Sequence, residues 1–118
     1  MSLFGEYLRN KREALQKQEA TGYSLRRVAQ AAGIEPSYLS KIERGQEAPP
    51  GQKTILALAA ALQEDPDVLL AMAGKVSDEL QQIICKRPQL FARLIRELKD
   101  MPDHAVLRLV REVRDGNW

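Results

Sequence analysis

One cysteine, Cys85, and one histidine, His104, are present in the 118-residue chain. A lone cysteine cannot close an intramolecular disulfide, and just after Ile83 and Ile84 it reads as a buried thiol. With one histidine there is no HExxH pair, and neither a cysteine cluster, a glycine-rich phosphate loop nor a Ser–His arrangement is present. No enzyme, metal or cofactor is therefore expected. The longest unbroken apolar run, Ile55 to Leu62, has eight residues, against the roughly 20 that a membrane span needs. No basic-then-apolar leader opens the chain, so a cytoplasmic location without membrane attachment is expected.

Charge of one sign is also scarce: the net charge is +2, with 44% hydrophobic and 29% charged residues, an ordinary balance for a soluble globular protein. Its distribution is uneven. Residues 1–45 hold eight Lys+Arg against five Asp+Glu, residues 46–74 one against four, and residues 75–118 nine against seven. Cation gathers in the first stretch, where the most informative pattern lies.

From Ser24 to Gly45 the chain has a two-helix rhythm. Leu25, Val28, Ala29 and Ala32 repeat at i, i+3, i+4 and i+7, the spacing of one helix face. Ser24 stands at the N-cap, Gly33 at the C-terminal stop, and Pro36 at the first turn of a second helix. Leu39 and Ile42 supply that helix's inward pair. Ser37, Ser40, Lys41 and Arg44 form the opposite stripe, small donors and long cations of the kind that reach base edges and phosphates in a major groove. A solvated amphipathic helix pair without that role has the same geometry.

At these residues the chain resembles the lambda-repressor-like, Xre-family helix-turn-helix regulators. The resemblance runs over about residues 3 to 74 and is carried by S24-L25-xx-V28-A29-xx-A32-G33-I34 and by the run SYLSKIERG ending at Gly45. It implies base reading by Pro36, Ser37, Ser40 and Lys41, and DNA-backbone contacts from Tyr38, Arg44 and Gln46. A polar residue usual after the first N-cap is Leu25 here, so Ser24, Arg26 or backbone N–H groups would make that phosphate contact. Glu43 falls beside Ile42 on the inward side, where an unpaired carboxylate is costly. The family satisfies it with an arginine of the first helix. Arg12 is the candidate, on the stripe Phe4, Leu8, Arg12, Leu15 of a helix from Leu3 to about Gln18; the alternative is two weakly interacting surface charges. The link from Arg12 to Ser24 is longer than the family's usual one, with a turn at Thr21-Gly22.

Ile55, Leu58, Ala59 and Leu62 form a further face, and Asp65 caps a helix with Pro66 at its first position, Val68, Leu69 and Met72 inward, and Gly74 at its end. Capping and dipole complementarity account for Glu64, Asp65 and Asp67 without acid–base or metal chemistry. The fold expected is all-α: a five-helix lambda-repressor-like DNA-binding domain over residues 1–74, then a helical region over 75–118. Within the latter, Ser77 caps a helix with Leu80, Ile83 and Ile84. Pro88 starts one with Phe91, Leu94, Ile95 and Leu98, and Pro102 one with Val106, Leu109, Val110 and Val113. So small a unit makes a marginal core, so its apolar faces, and Trp118, are expected to pack on the first domain, on each other or on a second copy.

The function implied is a homodimeric transcription regulator, a repressor, on a palindromic double-stranded operator. An antitoxin with a toxin partner and a protein-interaction module are the alternatives. In some relatives of this build a partner zinc metallopeptidase cleaves the tail, which the resemblance raises here as a regulatory partner.

Overall fold

Apolar residues three and four apart resolve, in a computed structural model that describes residues 3–116, into eight α-helices with no strand among those residues. They are α1 Leu3–Gln18, α2 Leu25–Ala32, α3 Pro36–Glu43, α4 Gln52–Ala61, α5 Pro66–Met72, α6 Asp78–Lys86, α7 Pro88–Leu98 and α8 Asp103–Asp115. The chain divides into two units, one reaching Ser77 and the other beginning at Asp78. None of these helices is long and apolar enough to cross a membrane. Trp118 lies outside the described residues.

The first unit contains α1 to α5 around one core. Phe4 and Leu8 from α1, Val28 and Ala29 from α2, and Leu39 and Ile42 from α3 meet Ile55, Leu58 and Ala59 from α4, Leu62 just after it, and Leu69 and Leu70 from α5. Helix ends are set locally. Ser24 Oγ accepts from the Arg27 amide at 3.2 Å to start α2, and Asp65 Oδ1 accepts from the Asp67 amide at 2.9 Å to start α5. After α2, the Gly33 and Ile34 amides return to the Gln30 and Ala29 carbonyls at 3.1 and 3.0 Å. That closure needs a left-handed residue, and Gly33 provides it at φ 73°. The same closure after α4 uses Gln63, at φ 55°, where glycine would be the easier residue. On α5 Leu69 and Leu70 are buried and Met72 packs, partly buried, against the core as expected, whereas Val68 is 41% exposed. The expected inward set is corrected there: the short helix turns the Leu69–Leu70 edge to the core, and Val68 lies one position off it.

In the second unit the apolar spacing makes helices but no buried side chain among the described residues of α6, α7 and α8. Cys85 is exposed, not buried. Ile83 is exposed too, at 53%, so flanking isoleucines did not mark an interior here. Pro102 is the N-cap of α8, one position before the helix, not its first residue. Its fixed φ suits either place.

Candidate nucleic-acid interface

What holds α3 is its buried side: Leu39, Ile42 and Glu43. Helix α1 crosses its end at Gly5, where an added Cβ would come within 2.2 Å of the Ile42 carbonyl oxygen. Only a residue without Cβ permits so close a crossing. Two turns further along α1, Arg12 Nε donates to Glu43 Oε2 at 2.7 Å and Nη2 donates to Oε1 at 3.0 Å. The two side chains retain only 11% and 5% of their exposure, so this is a buried, two-pronged pair. Arg12 Nη1 also donates to the Tyr23 carbonyl and to Gln16 Oε1, both at 3.3 Å. The hydrogen bonds to Glu43 hold the guanidinium pKa above its ordinary value, against the opposing effect of burial. One side chain thus ties α1 to the end of α3 and to the segment entering α2.

The opposite side of α3 is open. Ser37, Lys41 and Arg44 are exposed and Ser40 is half-buried; their spacing puts all four on one stripe. Arg44 Nε donates to the Ser40 carbonyl at 3.3 Å, which lays the stem along the helix and leaves the Nη groups for another acceptor. Pro36 occupies the first turn and is half-buried. Tyr38 is set apart from the stripe, half-buried against the core. Gln46 is exposed just past α3, its amide returning to the Lys41 carbonyl at 2.8 Å. At the start of α2, Arg26 is exposed and Ser24 half-buried. The Ser24 oxygen is engaged by the Arg27 amide, but its hydroxyl hydrogen can still be donated.

Sequence reasoning passed over Gly5 and the Tyr23 carbonyl. A signal for Gly5 existed: a glycine inside a helix costs about 1 kcal/mol relative to alanine, so its presence in α1 marks a close approach. Nothing local marks the Tyr23 carbonyl, which is a main-chain group. Among the described residues no group of His, Cys, Asp and Glu is gathered as metal ligands would be.

Residues 3–72, which include the short helix α2, the three-residue break with Gly33 and the second helix α3 with its polar outer stripe, match the family described as "Helix-turn-helix domain". The chain belongs to the helix-turn-helix domain family. Membership supports DNA as the partner of this helix-turn-helix domain and transcription regulation as its role. No curated protein and no solved structure matches the chain.

Proposed function

We propose that the chain is a sequence-specific transcription regulator of the lambda-repressor-like, Xre type, a homodimeric repressor acting in the cytoplasm on a palindromic operator. One observation carries the reading: α3 is clamped from behind by the buried Arg12–Glu43 pair while Ser37, Ser40, Lys41 and Arg44 stand together on its free side. Fixed orientation is what base readout requires, since hydrogen bonds to base edges discriminate only when the donors are positioned. In this reading α3 enters the major groove with Ser37 and Lys41 on base edges and Pro36 and Ser40 beside them. Tyr38, Arg44 and Gln46 contact sugar and phosphate, and Ser24 and Arg26 do so from the start of α2. A domain of such modest positive charge gains little from phosphates alone, so two copies on paired half-sites supply the affinity.

Selection of bound sequences from a random DNA pool yields the operator, a palindrome with half-sites about one helical turn apart. On that operator Lys41→Ala costs about 1–3 kcal/mol and relaxes preference at one base pair per half-site. Arg44→Ala weakens all sequences alike and lowers the salt slope by about one unit per half-site. A Lys41→Ala protein that selects the parent's operator with the parent's affinity removes α3 as the reading helix.

A further inference from the structure

The C-terminal helix α8 carries a stripe that matches itself. Asp103, Leu107, Val110 and Arg114 follow one another at steps of four, three and four, the repeat of a helix–helix seam. Leu107 and Val110 are 55% and 53% exposed, and the Arg114 side chain 68%. Arg114 Nε lies 3.0 Å from Asp115 Oδ1, but both side chains are about two-thirds exposed, so that contact is weak and gives way readily. From one end to the other the stripe reads acid, apolar, apolar, base. A two-fold axis midway along it places Leu107 of one copy on Val110 of the other and Asp103 on Arg114, each contact made twice. A parallel arrangement would set Asp103 on Asp103 and Arg114 on Arg114, which like charges oppose.

We propose that α8 pairs antiparallel with α8 of a second copy of this chain along this seam. Charge order selects the occupant, because the stripe is complementary to its own reversed copy. Val110 and Arg114 also line, with Leu94 and Leu98 of α7, an apolar groove of about 440 Å³. A partner helix along the seam covers Leu107, Val110 and the edge of that groove which Val110 lines, and removes exposed apolar surface from water. The seam rests on the dimer put forward above and is independent of which DNA is bound.

Sedimentation equilibrium of the full chain without DNA tests it, on the parent, Asp103→Arg, Arg114→Asp, an equimolar mixture of these two variants, and the double variant. The parent is dimeric. Each single change weakens dimerisation about tenfold or more, since two unlike contacts become two like ones. The mixture regains the parent's affinity, because a heterodimer restores both unlike pairs, and the double variant regains it alone. Recovery in the mixture also shows that each variant is folded, which circular dichroism checks separately because Asp103 lies in the first turn of α8. Single variants that dimerise as the parent does, tighter dimerisation of Asp103→Arg, or a mixture that fails to recover overturns the seam. A dimeric parent insensitive to all the changes overturns the seam alone, whereas a monomeric parent overturns the dimer with it.

Discussion

Arg12 and Glu43 show why a buried charge pair constrains orientation more than it stabilises. Removing either partner strands the other charge in the interior, at a cost of roughly 3 kcal/mol or more. Arg12→Ala and Glu43→Ala are each expected to lower stability by that much, and the double variant by less than the sum, in a denaturant-unfolding cycle. Strict additivity would contradict the 2.7 Å contact. Gly5 constrains the same crossing by its lack of a side chain. Gly5→Ala would push a methyl to 2.2 Å from the Ile42 carbonyl, so α1 must shift, at about 1–3 kcal/mol. Elsewhere in a helix the same exchange stabilises, so the sign of the measured change decides whether the crossing is as close as described. Arg12 was legible in the sequence because the family resemblance implies a first-helix arginine for Glu43 and Arg12 falls on the apolar stripe of α1. Its bond to the Tyr23 carbonyl was not, since any residue supplies a carbonyl.

Among the elements, α1 is joined to the turn between α4 and α5 by a hydrogen bond from the Tyr7 hydroxyl to Glu64 Oε2. Glu64 is also held by the Asp65 amide, which donates to its Oε1 at 2.8 Å. The Tyr7 hydrogen bond, ahead of the other causes, keeps the Glu64 carboxyl below its ordinary value of 4.5. The same bond, with burial and the Glu64 charge adding to it, keeps the Tyr7 hydroxyl above its ordinary 10.0. A depressed carboxylate contributes stability that is present above the unfolded value and lost as pH falls through the folded one. A raised phenol contributes stability present below its unfolded value and lost as pH rises through the folded one. Tyr7→Phe is therefore expected to cost about 1 kcal/mol near neutrality, and the gap to the parent should close in acid below pH 4.5 and again in base above pH 10.0. Thermal melts across that range check it; a gap unchanged in acid would mean that the phenol does not hold the carboxylate. The helix limits themselves were readable from Ser24, Gly33, Asp65 and Pro66, because caps act within a few residues. Gln63 was not readable as a turn residue: its left-handed backbone accompanies a hydrogen bond from its side-chain amide to the Tyr23 hydroxyl, forty positions away in the chain.

At the scale of the molecule, the twelve buried apolar residues of the core all belong to the first unit. A chain ending at Ser77 is accordingly expected to unfold cooperatively, to sediment as a monomer, and to bind the operator at least about tenfold more weakly, each half-site then being bound alone. A truncated chain that remains dimeric and binds as tightly as the parent would leave the second unit without its proposed part. Within the first unit, local rules suffice for much of the result. Spacing of three and four, caps at Ser24 and Asp65 and the stop at Gly33 determined where most helices lie. The division of α3 into a buried edge and a polar outer stripe was equally open to reading, because both follow from residues a turn or two apart. Only the tertiary structure decided that Val68 and Cys85 face water while Leu70 is enclosed, and that Gly5 takes the carbonyl end of α3. Those outcomes depend on which surface another element reaches. Sequence spacing shows that a helix has an apolar side, but burial requires a neighbour to cover it, and for α6, α7 and α8 none of the described residues is buried.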